Sequence, residues 1–379
     1  MSEWYCPLPF KHAYIDNQGV AACCKTPRSR VTLDEWVDHP SLIKLQQQLI
    51  AGTKPPGCQP CVNSEHNYHS SLRLDSIRDY NNQRFDKTEI DFIDFRSVNI
   101  CNFKCRSCQP IFSHGIAQEA STYPELKRFF GTPPAGKTIS VTDDNVDWIM
   151  RNLGSLKRIM FTGGEPTVIP GVRNLINKIK QDHKDIMVMI TSNASFQDDF
   201  WYEITEELSN LHWTVSIDIV GPRASIVRHG SDWPVIEKNV RWLAQYANSL
   251  DINSVVSNLT VFGLKPLLEF GRSMQKLSTT PSGRHGDLGC RHQFFVTQRP
   301  YQLAANNLTD ELKLRALVYL ESCQSLDLDD EQSNMLAGLI ASLRSSKFDK
   351  KLWEQHQLYN STLDRIRSED HSILFEGQT

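Results

Sequence analysis

Short apolar runs alternate with amphipathic stretches between about residues 90 and 300. The apolar runs are IDFIDFRSVNI, LKRIMFTG, DIMVMITSN, LHWTVSIDIV, DINSVVSNLTVFG and CRHQFFVTQ. Helix-period segments such as PGVRNLINKIKQDHK and WPVIEKNVRWLAQYANSL follow them. Strands that alternate with helices predict a parallel sheet with helices outside it. Because six strands are too few for a closed eight-stranded barrel, we expect a partial (β/α)6 barrel of the TIM type over residues 88–300.

The segments on either side of this region have different patterns. Residues 1–80 are punctuated by cysteine, proline and glycine, and we expect a small module with a strand pair that turns at DNQG. TLDEWVDHPSLIKLQQQLIAG predicts one helix that begins after Thr32 as N-cap and stops at Gly52. SSLRLDSIRDYNNQRF predicts a helical linker to the barrel. Residues 301–379 carry apolar positions at helix period, which predicts a helical C-terminal extension.

Composition narrows the class of protein. The chain has 379 residues and a formal net charge of −3, which gives no overall electrostatic reason to expect nucleic-acid binding. MSEWYCPLPF has neither the basic nor the apolar region of a signal peptide, and no apolar run approaches the roughly 18–20 residues that span a bilayer. We therefore expect a cytoplasmic protein without a membrane partner.

Cysteines are unevenly distributed along the chain. Eight of the ten lie before residue 110, and only Cys290 and Cys323 lie beyond it. Disulfides are rare in the cytosol, so clustered cysteines there more often bind metal than each other. We expect Cys290 and Cys323 to be buried as small apolar side chains.

The stretch NICNFKCRSCQP places Cys101, Cys105 and Cys108 on a predicted loop directly after the first barrel strand. That edge of a parallel α/β sheet is where such folds place their chemistry. A structural zinc site needs four protein ligands, whereas three thiolates suit a four-iron cluster with one iron left open. On this motif alone, a zinc ribbon or a set of unligated buried thiols stays the alternative.

Several motifs together resemble those of the radical S-adenosylmethionine (SAM) enzymes. The signature of that superfamily is CxxxCxxC after the first barrel strand, and the chain has it. MFTGGEPTV after the second strand matches the GGE element of these enzymes, while ITSN ends the third strand and VSIDIVGPR the fourth. The motifs occur in family order over about residues 92–262, each at the end of a predicted strand.

The resemblance implies roles for the residues that would contact the methionine part of SAM. Gly163 and Gly164 would let the backbone approach the ligand, and Glu165 would accept the methionine amino group. A carboxylate that faces an ammonium forms a charge-assisted hydrogen bond, which is stronger than a neutral one. Arg223 is the candidate for the methionine carboxylate.

The resemblance also implies contacts with the nucleoside part of SAM. Asn193, Ser216 and Asp218 occupy the strand-end positions that hold nucleoside-contacting polar residues in the family. The residue before the third cysteine is usually bulky and apolar in these enzymes, so that it packs on adenine. Ser107 stands there in this chain, so adenine packing must come from elsewhere, with Phe103 as one candidate.

A second cysteine group lies near the N-terminus. Cys6, one of the adjacent pair Cys23 and Cys24, and the pair Cys58 and Cys61 resemble a SPASM/twitch auxiliary-cluster module, here before the barrel instead of after it. Strand alternation lets only one of Cys23 and Cys24 point at such a cluster, and the sequence leaves the choice open. Zinc stays the alternative to a second [4Fe-4S] cluster, because both accept four cysteines.

The resemblance implies a radical SAM enzyme. A [4Fe-4S] cluster on Cys101, Cys105 and Cys108 would reductively cleave SAM, and the resulting 5′-deoxyadenosyl radical would take hydrogen from a substrate. The electron would come from an external reductant of the flavodoxin or ferredoxin type. The SPASM/twitch resemblance favours a peptide or protein substrate, and a nucleotide or small metabolite is the alternative. A non-catalytic iron–sulfur carrier or sensor is a further alternative, although it would not need the GGE element.

Overall fold

The computed structural model describes residues 4–16, 18–68, 71–96, 98–131, 143–278, 289–297 and 299–376. Their strands, numbered β1 to β10 in chain order, are His12–Asp16, Gly19–Ala21, Phe92–Phe95, Lys104–Cys105, Arg158–Phe161, Met187–Ser192, Leu211–Ser216, Arg228–His229, Ser249–Val256 and Gly289–Val296.

Helices connect and flank these strands. The α-helices, α1 to α16, are Leu8–Lys11, Leu33–Trp36, Pro40–Ile50, Gln59–Tyr68, Leu72–Asp79, His114–Thr122, Pro124–Phe130, Asp143–Asn152, Pro170–Asp182, Asp199–Glu207, Ala224–Val227, Trp233–Tyr246, Leu264–Leu277, Asp310–Cys323, Asp330–Ser345 and Lys350–Arg367. Short 3-10 helices span Pro56–Cys58, Leu153–Ser155, Pro166–Val168, Val261–Gly263, Tyr301–Leu303 and His371–Phe375.

The main sheet is largely parallel and has eight strands in the order β10-β9-β7-β6-β5-β3-β1-β2. Its strands β3, β5, β6, β7, β9 and β10 are the six that the apolar runs predict. The α/β class, the partial TIM-type barrel and the helical C-terminal extension are thereby confirmed. Contacts divide the described chain into two compact units, and each is described by itself. The three sequence segments 1–80, 88–300 and 301–379 stay a prediction.

The first unit contains the described residues up to Asn99 and those from 143 to Met189. Strand β1 pairs in parallel with β3, with His12 opposite Phe92, and β2 turns back antiparallel to β1. The N-terminal strand pair therefore extends the barrel sheet beyond its first strand. This junction is an addition to the prediction, which placed the strand pair in a separate module.

The single helix predicted from Thr32 to Gly52 is two helices, α2 and α3. Thr32 and Glu35 form a capping box at the start of α2, as the N-cap prediction requires. Pro40 stands at the first position of α3 and lacks the N–H that a continuing helix would need. Helix α5 in the linker begins after Ser71, whose side chain accepts from the N–H of Leu74.

The second unit contains the described residues from Ile100 to 131 and from Ile190 to 376. Strands β7, β9 and β10 pair in parallel and bury one apolar face, to which Trp213, Val215, Ile252 and Phe294 contribute. Helix α13 packs on β10. Cys290 in β10 and Cys323 in α14 are both buried, as predicted. None of the described helices is long and apolar enough to cross a membrane.

Candidate active site

The three predicted cluster ligands lie together in the second unit. The sequence predicts a loop here, but Cys105 belongs to the short strand β4, which pairs antiparallel with β8 so that Cys105 faces Arg228. The N–H of Cys108 donates to the carbonyl of Cys105 at 3.1 Å, and the N–H of Phe103 donates to Sγ of Cys101 at 3.4 Å. This backbone pairing holds residues 101–108, which we call the cysteine segment, in a defined conformation.

Burial keeps the Cys105 and Cys108 thiols protonated in the metal-free protein. Burial raises the pKa of Cys105 above its usual value. Burial, reinforced by the charges of Cys105 and Cys101, raises the pKa of Cys108 to about 12. Cys101 and Cys105 thus lie near enough to Cys108 to affect its pKa. Metal binding requires thiolates, so loading this site would release protons.

Arg228 brings a positive charge to these thiols, and the sequence motifs did not identify it. Burial alone would lower the pKa of Arg228, but Cys105, Asp218 and Cys101 raise it above its ordinary value. Its Nη1 donates to Oδ2 of Asp218 at 2.9 Å, and only 13% of the side chain is exposed. The site therefore contains a fixed cation that compensates negative charge on the sulfurs.

Both carboxylate oxygens of Asp218 accept hydrogen bonds from protein groups. Oδ2 accepts from Arg228, and Oδ1 accepts from the N–H of Val255 at 2.9 Å. The carboxylate thus orients the Arg228 guanidinium. Ser216, the last residue of β7, is half-buried. Arg223 is also half-buried, and its Nη2 donates to the carbonyl of Glu376 at 3.0 Å.

Asn193 connects the end of β6 to the cysteine segment. Its Nδ2 donates to Oδ1 of Asn102 at 2.8 Å, and its Oδ1 accepts from the N–H of Ser195 at 3.0 Å. Nδ2 of Asn102 in turn donates to Oγ of Ser195 at 2.7 Å. A strand-end residue that the sequence singles out is therefore placed beside the residue that follows Cys101.

Phe103 is buried, with 1% of its surface exposed, and it braces the cysteine segment from within. Gly230 packs against it with φ +96°, and a Cβ added there would lie 2.9 Å from the carbonyl oxygen of Asn102. Ser107 borders a small cavity whose apolar lining includes Val227, Val255, Leu259 and Leu303.

The GGE element lies in the first unit. Gly163 has φ +110°, and an added Cβ would lie 3.3 Å from both the Arg96 Cβ and the Val98 carbonyl oxygen. The N–H of Gly164 donates to the Val98 carbonyl at 3.1 Å. A positive φ in a close-packed position explains the need for glycine at position 163.

Glu165 has a carboxylate that is oriented by a nearby threonine. The side chain is buried, and its Oε1 accepts from Oγ1 of Thr167 at 2.6 Å and from its N–H at 3.2 Å. Thr167 is a supporting residue that the sequence analysis did not identify. The sequence did contain a signal for this role, because Thr167 is a polar residue two positions after the GGE element.

Four N-terminal thiols belong to one buried cluster in the first unit. Cys6, Cys23 and Cys61 pack together, and Cys58 packs against them. Burial raises the pKa of Cys6 to about 12, with the charges of Cys23 and Cys58 acting in the same direction. Burial likewise raises the pKa of Cys23 to about 11.

Cys24 has different surroundings from Cys23. It is half-buried and lies outside that cluster. Burial raises its pKa, and the charged groups that act on it most are Lys25, Asp94, Arg96 and Arg28. The two adjacent cysteines are thus separated by their environments.

Comparison with protein families matches residues 96–267 to the model of the Radical SAM superfamily. The chain therefore contains a radical SAM domain. The matched stretch contains the three cysteines, the GGE element and the strand-end motifs on which the resemblance depends. A domain of this family implies a [4Fe-4S] cluster and SAM as cofactors.

Several solved structures of radical SAM enzymes are similar to this chain. They include anSMEcpe with bound AdoMet (17% identity, 48% of this chain and 48% of that chain, TM-score 0.36). Streptococcus suis SuiB bound to precursor peptide SuiA has 14% identity over 83% of this chain and 68% of that chain, with TM-score 0.41. Kitasatospora setae TsrM, a radical SAM methyltransferase with cobalamin and a [4Fe-4S] cluster, has 13% identity over 47% and 34%, with TM-score 0.32.

The chain spans about half the length of the first of these structures. All of these TM-scores are below 0.5, so we base no residue role and no substrate on them. No match was found among the curated proteins.

Proposed function

We propose that Cys101, Cys105 and Cys108 hold the radical SAM cluster and that the protein abstracts hydrogen from a peptide or protein substrate. The observation that supports this assignment is that Cys105 faces the buried Arg228 across the β4–β8 ladder, with Cys108 hydrogen-bonded to Cys105 in the same segment. The donor set fits the cofactor, because thiolates are the usual ligands of iron–sulfur clusters and three of them leave one iron open. When bound, the cluster supplies the electron that cleaves SAM into methionine and a 5′-deoxyadenosyl radical.

The protein's charged residues would bind the methionine part of SAM. We keep Glu165 as the acceptor for the amino group, with Thr167 fixing the orientation of its carboxylate. For the methionine carboxylate we favour Arg228 over the Arg223 that the resemblance suggests. Arg228 is next to the cysteine group and is oriented by Asp218, whereas Arg223 donates to a backbone carbonyl near the C-terminus.

Polar and apolar residues of the second unit would bind the nucleoside part. Asn193 and Ser216 retain their proposed contacts, and Asp218 would act through Arg228. Phe103 is packed inside the cysteine segment. Val255, which is half-buried and borders the cavity beside Ser107, is therefore our candidate for the apolar packing of adenine.

We further propose that Cys6, Cys23, Cys58 and Cys61 hold a second [4Fe-4S] cluster. Cys6, Cys23 and Cys61 belong to one buried cluster and Cys58 packs against it, which supports one site with four thiolate ligands. Four cysteine ligands leave no open iron, which favours electron transfer or a structural role. Such a module favours a peptide or protein substrate, with a nucleotide or small metabolite as the alternative.

The proposed setting is cytoplasmic, with a flavodoxin- or ferredoxin-type protein as reductant. The ten described cysteines form no disulfide with one another, which suits a reducing compartment.

Anaerobic reconstitution tests the catalytic assignment. Purified protein is loaded with iron and sulfide, reduced with dithionite and supplied with SAM, and 5′-deoxyadenosine is quantified. We expect formation of 5′-deoxyadenosine, and its loss when Cys101, Cys105 and Cys108 are replaced together by alanine. A cluster seen by spectroscopy without any 5′-deoxyadenosine would support the electron carrier or sensor instead. Comparing peptides and metabolites of cells with the active and the triple-alanine protein tests the substrate class.

Metal analysis of the same triple-alanine variant tests the N-terminal cluster. About four irons per chain are expected to remain, because the N-terminal thiols are intact and one cubane contains four irons. One zinc per chain and no iron would contradict the second iron–sulfur cluster.

A further inference from the structure

Arg106, between the second and third cysteines of the motif, is completely buried. Its Nε donates to the carbonyl of Ile226 at 2.8 Å, and its Nη1 donates to Oδ1 of Asn360 at 3.0 Å. Its Nη2 donates to Asp364 at 2.5 Å and to Glu369 at 2.7 Å. An arginine in an exposed loop would have water as its partner, whereas this guanidinium is bound by protein groups on all sides.

The backbone of Arg106 is held as firmly as its side chain. Its N–H donates to the carbonyl of Val227 at 2.9 Å. Its carbonyl accepts from the hydroxyl of Tyr359, a buried residue of α16, at 2.7 Å. Two of its side-chain partners, Asn360 and Asp364, also belong to α16, and Glu369 lies directly after that helix.

The residue on the other side of Cys105 is tied to the same helix. Nζ of Lys104 donates to Oε1 of Glu119 at 2.6 Å, and Nη2 of Arg367 donates to Oε2 of that carboxylate at 2.7 Å. Arg367 and Glu119 are both buried. Cys105 is therefore flanked by two cations, each connected to the last turns of α16 through the buried carboxylate of Glu119 or the half-buried carboxylates of Asp364 and Glu369.

Glu369 also binds the strand that pairs with the cysteine segment. Its Oε2 binds Arg106, and its Oε1 lies 2.5 Å from Nδ1 of His229, the residue that pairs with Lys104 across the β4–β8 ladder. One carboxylate thus links the cysteine segment, the strand that pairs with it and the chain after α16. We refer to Tyr359, Asn360, Asp364, Arg367 and Glu369 as the C-terminal clasp.

We propose that the C-terminal clasp positions the cysteine segment for its cluster and that Arg106 is the positioning residue. A buried guanidinium that loses its carboxylates carries a large desolvation penalty, so segment and clasp keep their places only together. Surface ion pairs exert no such constraint. The end of the C-terminal extension is then needed for the correct geometry of the cluster site. This inference rests on the proposed assignment of the cluster to Cys101, Cys105 and Cys108.

The test compares Arg106→Met, Arg106→Lys and Glu369→Gln with the wild type. Arg365→Met is the matched control, because Arg365 lies on the same helix but pairs with the exposed Glu125. Hydrogen exchange of the metal-free proteins is followed by mass spectrometry over residues 101–113. Reconstituted proteins are reduced, and the change that SAM produces in their electron paramagnetic resonance spectrum is recorded. That change reports on the cluster with an open iron.

We expect Arg106→Met to increase exchange in the cysteine segment at least tenfold and to lose most of the SAM-induced spectral change. Arg106→Lys should be intermediate, and Arg365→Met should match the wild type in both measurements. Normal exchange and a normal spectrum for Arg106→Met would overturn the inference. If Arg106→Met does not fold, Glu369→Gln decides the outcome by the same two measurements.

Failure of the proposed function has a different signature. A wild type that binds no cluster on the three cysteines would overturn the function and, with it, the role of the clasp in cluster binding. The exchange measurement on metal-free protein would still show whether the clasp holds the segment.

Discussion

Cys105 and Arg228 face each other across the two-residue ladder between β4 and β8. The guanidinium is held by Asp218 and lies near enough to the thiol for each to affect the pKa of the other. Since the pairing is through the backbone, the position of this cation is fixed by the same ladder that fixes the sulfur. The cysteine segment therefore includes its own compensating charge.

Replacing Arg228 should weaken SAM binding and radical formation. We expect Arg228→Met to reduce SAM affinity and 5′-deoxyadenosine yield at least tenfold, because both the positive charge and its hydrogen-bond donors are lost. Arg228→Lys should retain part of the activity, since it keeps the charge but not the planar fork. Calorimetric titration with SAM and product quantification check these expectations.

Arg223→Met decides between the two arginines. It tests the residue that the sequence resemblance suggests for the methionine carboxylate. A larger loss of SAM affinity in Arg223→Met than in Arg228→Met would contradict our preference for Arg228.

The adjacent cysteines of the N-terminal segment should differ in metal content when replaced. In the background without Cys101, Cys105 and Cys108, we expect Cys23→Ala to lose most of the remaining iron. Cys24→Ala should retain it, because Cys24 lies outside the buried thiol cluster. Iron and sulfide analysis makes the comparison. Iron loss from the Cys24 variant alone would show that the ligand assignment is reversed.

Gly163→Ala should lower the free energy of unfolding. The positive φ and the close approach of Arg96 and Val98 leave no relaxed position for a methyl group. Strain of this kind costs on the order of 1–3 kcal/mol, and we expect a comparable loss of unfolding free energy in denaturant titrations. SAM binding should weaken as well, because the turn that carries Glu165 would shift.

Gly171→Ala is the control for that substitution. Gly171 lies in the first turn of α9, and an added Cβ meets nothing within 4 Å. Gly171→Ala should leave the free energy of unfolding unchanged or raise it slightly, because alanine has a higher helix propensity than glycine. Equal effects of the two substitutions would contradict the conformational explanation.

His292 should make the fold sensitive to acid. Burial lowers its pKa to about 4 in the folded protein, against an ordinary value of 6.5. As pH falls below 6.5 the unfolded chain takes up a proton that the folded state refuses, so stability decreases until about pH 4. The shift corresponds to roughly 3 kcal/mol over that interval.

The His292→Gln variant isolates this contribution. Its unfolding free energy should fall less than that of the wild type between pH 6.5 and 4.5, measured in denaturant on metal-free protein. His356, whose burial lowers its pKa to about 3, acts in the same direction in both proteins and cancels in the comparison. Parallel pH profiles would show that His292 does not govern the acid response.

The barrel strands could be predicted because their signal is local. Each of the six is a short apolar run, a helix-period segment follows each of the first five, and all six form. The prediction of one helix from Thr32 to Gly52 was wrong, although Pro40 carried the signal, since proline fits the first turn of a helix and not its interior. The pairing of His12 with Phe92 could not be predicted, because the pattern of a strand does not specify a partner that is distant in the chain.

The residues around the cysteines illustrate the same limit. Spacing identifies Cys101, Cys105, Cys108 and the GGE element, since ligand chemistry fixes their order. Arg106 and Arg228, by contrast, look like ordinary charged loop residues. Their roles follow from burial and from partners such as Asp364 and Asp218, which the fold alone brings to them.

The parallel pairing of β1 with β3 has a consequence for any shortened version of this protein. Removing the N-terminal residues would uncover the backbone N–H and C=O groups of β3, a strand whose Ile93 and Phe95 are buried in the intact protein. Unprotected strand edges of this kind template intermolecular pairing. The isolated barrel would therefore tend to aggregate, and the N-terminal strand pair serves as its protective border.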